Sequence, residues 1–375
     1  MRVLFAVDSV FQLMVAVNLR LTSYKNDIAD IIIYNSTVGA EQYCNNLRTT
    51  GAFEKCFFGK TSLTLVGDKY SFKEKLPKYS IYLKSLIMPE AVINNIDGNF
   101  KEIYDVFLFN GEGALPECIY NACKKRNKNL ICYRFEDSYL SYTQEYGKIK
   151  GKARKIIERI AEIFGHKDIN RDIKGYYFAE PNLVQYNFKY PVMQSVKFSR
   201  NNEELLRVLN TTFGFDLLTD DYQEKYIFFE CGDAFFFKNN DDLRYVERLI
   251  SVVGKKNVLI KRHPRIIENR FKKMGVHIAQ GSTVPWELIQ LNIPLAGKVF
   301  LTTKSAAALT SEVYFGDKCS ALLLYRGIEG NQGEIGQNFE KYMCAFEKNS
   351  KNGFWRPNNI DEFTTIIKNI EDNNQ

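Results

Sequence analysis

Short apolar runs rich in Val, Ile and Phe alternate with longer stretches of helical periodicity through both halves of the chain, and this alternation limits the fold more than any other feature. Strands buried on both faces read as continuous apolar runs, and the helices between them carry the chain back across the sheet. The pattern therefore predicts parallel sheets flanked by helices. In the first half the predicted strands are Val3–Val7, Ile28–Tyr34, Val106–Phe109 and Leu130–Phe135. In the second they are Tyr226–Glu230, Val258–Ile260, Val276–Ala279, Val299–Thr302 and Ala321–Leu324. At 375 residues the chain exceeds what one core usually supports. The expectation is an α/β protein of two Rossmann-like domains, 1–185 and 186–375, with parallel sheets facing a central cleft. The connection is placed in the aromatic, aperiodic stretch Tyr176–Tyr190.

The 51 Lys and Arg exceed the 44 Asp and Glu by a formal +7. That mild excess suits a phosphate or an anionic surface without choosing between them. Eight Cys without a C-x-x-C pair, and only three His, do not make the usual zinc patterns, so reduced thiols, no structural metal and a cytoplasmic setting are expected. The apolar run after Arg2 is too short for a signal-peptide core and meets Asp8, which marks it as a buried first strand. No run reaches the length of a spanning helix. Any membrane contact is then peripheral, and Lys148, Lys150, Lys152, Arg154 and Lys155, at the start of an amphipathic stretch with Ile156, Ile157, Ile160 and Phe164, are the candidate for it. A plain solvated face is the alternative.

Residues able to carry chemistry cluster at the predicted strand ends, where open α/β sheets bind ligands. Asp8-Ser9 can cap a first helix. Glu136 and Asp137 are paired carboxylates directly after a strand: one can act as general base while the other caps the next turn. The run Lys261-Arg262-His263-Pro264-Arg265 puts a His, held by the following Pro, among three cations, suited to a phosphate or to general acid work. Thr303-Lys304-Ser305 opens a helix with hydroxyls and small residues, a phosphate seat or an ordinary cap. Gly232-Asp233 is a Gly turn at another strand end, and Glu287 at a helix start complements the dipole or binds ribose hydroxyls. His166 and His277 lack such settings and read as structural.

Together these residues resemble the bacterial sialyltransferases, most nearly glycosyltransferase family 52 of capsule and lipooligosaccharide synthesis. Ser9-Val10-Phe11-Gln12-Leu13 is similar to the family's Thr-Pro-x-Gln-Leu turn, without its Pro. Phe135-Glu136-Asp137-Ser138 is similar to its paired-acid motif, with Ser in place of Gly. His263-Pro264-Arg265 matches its His-Pro-Arg motif, Glu287 its helix-start acid, and Lys304-Ser305-Ala306 its hydroxyl motif, with Lys in place of the first Ser. The resemblance implies two lobes of the GT-B type and an inverting, metal-independent transfer from CMP-sialic acid to a glycan hydroxyl. Closure of the lobes would assemble the site. It implies Glu136 as general base with Asp137 as the fallback and Asp233 as the outside candidate, and His263 at the departing phosphate. Gly232, Asp233, Lys261, Pro264, Arg265, Thr303 and Ser305 would stand around the CMP, Glu287 on the ribose, and Ser9 and Gln12 on the acceptor side. No cofactor and no nucleic acid are expected, and a homodimer is allowed. The alternatives are a GT-B transferase using another nucleotide-activated donor, and a non-catalytic nucleotide- or glycan-binding protein.

Overall fold

The computed structural model describes the chain apart from residues 36–38, 61–71, 94–95, 97–99, 112–113, 138, 144–151, 216–221, 233–240, 264–265, 267, 281–283, 294, 329–336, 351 and 374–375. It divides into two compact units, Met1–Val196 with Asn201–Phe215, and Lys197–Arg200 with Asp216–Gln375. The elements of the first are β1 (Arg2–Val7), α1 (Val10–Leu21), β2 (Ile28–Tyr34), α2 (Ala40–Thr50), β3 (Lys55–Gly59), α3 (Phe72–Ile87), α4 (Pro89–Ile93), β4 (Val106–Phe109), α5 (Ala114–Arg126), β5 (Ile131–Phe135), α6 (Leu140–Thr143), α7 (Lys152–Ile163), β6 (Ile173–Phe178), β7 (Val192–Gln194) and α8 (Glu203–Phe213). The second holds β8 (Tyr226–Phe229), α9 (Asp241–Val253), β9 (Val258–Lys261), β10 (His277–Ile278), α10 (Trp286–Asn292), β11 (Val299–Thr302), α11 (Ala307–Thr310), β12 (Ser320–Leu323), α12 (Gln337–Asn349), β13 (Phe354–Trp355) and α13 (Ile360–Asp372).

Unit 1 carries a seven-stranded sheet in the order β3-β2-β1-β4-β5-β6-β7, parallel at every pairing. Val3 to Val7 are all buried, as the unbroken apolar run requires. Each such large side chain contributes roughly 1.5–3 kcal/mol on leaving water. The strand order reverses between β1 and β4, which opens a crevice at their carboxyl ends. One polar network stitches this sheet internally. Asp30, fully buried in β2, accepts from Arg2 Nη2 at 2.7 Å, Tyr104 Oη at 2.8 Å and the Lys55 backbone N–H at 3.0 Å.

Unit 2 repeats the plan with six parallel strands, β10-β9-β8-β11-β12-β13, and its order reverses between β8 and β11. Glu230, Gly232, His263 and Thr303 all follow carboxyl ends of its strands.

The division expected at 185/186 falls inside unit 1. The stretch read as a linker instead carries β6 into β7, which pairs along Tyr176–Phe178. Gly175 lets β7 approach closely, since a Cβ there would lie 2.7 Å from Met193 Sδ. Helix α8, beyond the expected boundary, also belongs to unit 1, where Arg207 bonds the Thr50 carbonyl at 3.2 Å and Asn46 bonds that of Thr212 at 3.1 Å.

Candidate active site

In unit 1 the end of β1 and the end of β5 bring two carboxylates together. Ser9 caps α1, accepting from the Gln12 backbone N–H at 3.1 Å. That places the Gln12 side chain, only 2% exposed, between the two strand ends. Its Oε1 accepts from the Asp8 backbone N–H at 3.0 Å, and its Nε2 donates to Asp137 Oδ2 at 3.0 Å. Ser9 Oγ donates to the other Asp137 oxygen at 3.4 Å. Burial raises the pKa of Asp137, while the Gln12 and Ser9 donors oppose the rise. The Asp8 carboxyl keeps contact with solvent, yet its protein surroundings, and then the charge on Asp137, push it up to about 6. Two acids this coupled titrate as a pair: Asp137 ionises first, and its charge holds the proton on Asp8.

Glu136, expected as the base, has a different part. It is 1% exposed, its Oε1 accepts from the Ala179 backbone N–H at 2.8 Å, and its Oε2 accepts from the Tyr142 hydroxyl. Consecutive side chains at a strand end point to opposite sides, so Glu136 pins β5 to the end of β6 while Asp137 meets Asp8. Gln12, expected on the acceptor side, is likewise buried as a bridge. From the sequence Asp8 reads only as part of a cap. The signal that could have found it is its place at the carboxyl end of the strand beside the sheet's reversal point.

In unit 2, Glu230 ends β8 with a buried carboxylate. Its Oε2 accepts from the His263 backbone N–H at 3.1 Å, and its Oε1 from Arg270 at 3.2 Å. Arg270 also donates to Asp242 at 3.1 Å. Burial raises the Glu230 pKa, while the His263 N–H and Arg270 pull it back. This network fixes the exit of β9 and with it His263. Gly232 completes the arrangement: a Cβ there would stand 2.5 Å from His263 Cε1 and 2.6 Å from Nε2, so only Gly allows the imidazole its position.

Two of the cations expected around a phosphate, Lys261 and Arg262, bond backbone carbonyls. Lys261 is 7% exposed and donates to the Val284 carbonyl at 3.1 Å, while Arg262 donates to the carbonyls of Ile266 at 2.7 Å and Glu268 at 3.0 Å. Burial raises the Glu287 carboxyl pKa, partly offset by the charge of Lys261, which brings these two predicted residues together. After β11, Thr302 Oγ1 accepts from the Ser305 N–H at 3.1 Å, and Ser305 Oγ accepts from the Ala307 N–H at 3.3 Å. Two of the backbone N–H groups at the start of α11, those of Ser305 and Ala307, are thus already capped. Thr303 is 1% exposed and its hydroxyl has no hydrogen-bond partner among the described residues. A buried hydroxyl left unpaired costs about 1–3 kcal/mol, which singles out Thr303 as the group here lacking an acceptor or donor. Asp233, Pro264 and Arg265 lie outside the described residues. His166, against Asn121 and Glu117, and His277, against Glu224, hold elements of their units, as expected.

Comparison with protein-family models finds no match, and comparison with curated protein sequences finds none. Solved structures do match in fold. A glycotransferase of kitacinnamycin superposes with a TM-score of 0.56 at 9% identity, covering 98% of this chain and 90% of that one. The alpha/beta-galactoside alpha-2,3-sialyltransferase of Photobacterium phosphoreum gives 0.54 at 10% identity over 96% and 99%. Arabidopsis thaliana UGT89C1 complexed with UDP gives 0.52 at 10% over 99% and 90%. Identities this low speak for the fold, and the fold is that of the GT-B glycosyltransferases.

Proposed function

We propose that the protein is an inverting, metal-independent sialyltransferase that moves sialic acid from CMP-sialic acid to a hydroxyl of a cell-surface glycan. The observation that carries this reading is the carboxylate pair Asp8–Asp137, bridged by Gln12. A sugar hydroxyl is too weak an acid to attack unaided near neutral pH, and a base whose titration is lifted toward that range is suited to take its proton. Asp137 is the base in this reading, because its two hydrogen bonds fix its orientation and burial raises its titration above the ordinary carboxylate range. The acceptor O–H proton passes to Asp137 as the acceptor oxygen bonds the anomeric carbon. The bond from that carbon to the CMP phosphate oxygen breaks on the opposite face, and its electrons leave with CMP. Asp137 then returns the proton to water.

Unit 2 supplies the leaving-group side. His263, seated on Gly232, donates to the phosphate, and the Thr303 hydroxyl gains the partner it lacks. Glu287 takes the ribose hydroxyls, with Lys261 steadying its charge. The GT-B fold, shared with a sialyltransferase among other sugar transferases, is consistent with this division of labour.

The rate profile tests the reading. Transfer should rise with pH along an acid limb that lies above the ordinary carboxylate range, because burial holds the proton on Asp137. Asp8→Asn leaves that base in place, so most of the plateau rate should be kept. Asp137→Asn should cost about 10² to 10⁴ in rate. Full transfer by Asp137→Asn, measured as CMP release with acceptor present, would dismiss the assignment.

A further inference from the structure

We propose that the outward face of α7 is a docking surface for an anionic lipid bilayer. The inward side of this helix is closed. Ile157 and Ala161 are buried in the core of unit 1, and Arg154 is held by Glu117 at 3.0 Å and by Glu158 at 2.8 Å. The outward side carries Ile156, Ile160 and Ile163, which are 58%, 38% and 82% exposed, and the turn that ends the helix adds Phe164 at 62%. At about 100° per residue the three Ile occupy a sector of roughly 60°. Lys155 and Arg159, both exposed, run beside that sector. Single exposed apolar side chains are ordinary on a protein surface, but a contiguous row of large ones marks an interaction site.

The charges beside the row identify the partner. Lys155, Arg159 and, past the turn, Lys167 are exposed cations. Glu162 is paired with Arg171 at 3.2 Å, and Glu158 turns inward onto Arg154 and Tyr82. An apolar row bordered by cations fits the boundary where acyl chains begin beneath anionic headgroups: the Ile and Phe side chains insert, and the Lys and Arg stems reach up to the phosphates. A surface of this kind does not depend on the transfer reaction and stands or falls apart from it. The sequence stripe is also corrected here, since Ile157 belongs to the core and Ile163 takes its place on the surface.

The full chain is to be sedimented with vesicles of phosphatidylcholine alone, and of phosphatidylcholine and phosphatidylglycerol in equal parts. It should sediment with the anionic vesicles only, and less so as salt is raised. Ile160→Asp with Ile163→Asp should abolish binding. Lys155→Glu with Arg159→Glu should weaken it roughly tenfold or more, since each basic residue near such a surface is worth about fivefold. All four side chains are exposed, so the circular dichroism and thermal unfolding of the variants should match the parent. Ile163→Ser alone gives a milder check should the double Asp variant fail to fold. No binding by the parent, equal binding to both vesicle types, or variants that bind as the parent does would each overturn the proposal. So would a dimer seen by light scattering without lipid that either variant makes monomeric, because the face would then join copies of the chain.

Discussion

Gly232 shows how one residue can govern a site through the space it leaves. Its missing Cβ is the space that His263 occupies, and the group that must yield on substitution is a side chain rather than backbone. Gly232→Ala should therefore displace the imidazole while the sheet stays intact. Transfer should fall by about as much as in His263→Ala, within the roughly 10² to 10⁴ expected for an acid–base group, with thermal unfolding unchanged. A variant that keeps its transfer rate would show that the position of His263 does not matter to the reaction. At this scale the sequence was legible in placing residues at strand ends, as for His263 and Gly232. It was not legible between neighbours: Glu136 and Asp137 are chemically alike and adjacent, and only the facing of the chain decides that one binds Tyr142 and Ala179 while the other meets Asp8 and Gln12. The partners Arg270 and Asp242 escaped notice because nothing local marks residues that converge from distant segments.

Among the elements, strands with unbroken apolar runs were readable nearly to the residue: Ile28–Tyr34, Val106–Phe109 and Val299–Thr302 form as expected. The strands that escaped are those with a weaker signal. β3 begins at Lys55 and ends at Gly59, β6 is interrupted by Gly175, and β7 and β13 are three and two residues long. Such strands form because a neighbour already offers an edge to pair with. Asp30 is the reverse case, a charge in the middle of an apolar run, and the network around it explains why the strand tolerates it. Truncating one partner of a buried ion pair usually costs about 3–5 kcal/mol. Arg2 is partly exposed and also lies 3.8 Å from Glu102, so its charge is not stranded. Asp30→Ala should accordingly fall near the lower end, about 3 kcal/mol, read as a lower denaturant midpoint with unchanged slope. A loss under about 1 kcal/mol would mean that the bonds from Tyr104 and Lys55 find replacements.

For the whole molecule, two α/β units were legible from the repeated alternation, and their boundary was not, because β7 and α8 are tied to unit 1 by contacts remote in sequence. The assignment of donor to unit 2 and acceptor chemistry to unit 1 makes a prediction that separates the units without requiring turnover. Hydrogen exchange with saturating CMP should slow at the backbone N–H groups of Gly232, His263 and Thr303, and leave those of Asp8 and Gln12 unchanged. A nucleotide at about 100 times its Kd stabilises what it binds by about 2.7 kcal/mol, enough to slow exchange roughly a hundredfold where opening limits it. The same experiment with UDP and GDP distinguishes sialyl transfer from transfer of another activated sugar, because those nucleotides differ from CMP in base and in number of phosphates. Protection by UDP or GDP with none by CMP would leave the GT-B fold and the carboxylate pair in place and replace the donor. Protection at Asp8 and Gln12 instead would put the nucleotide in unit 1, and the roles of the two units would have to be exchanged.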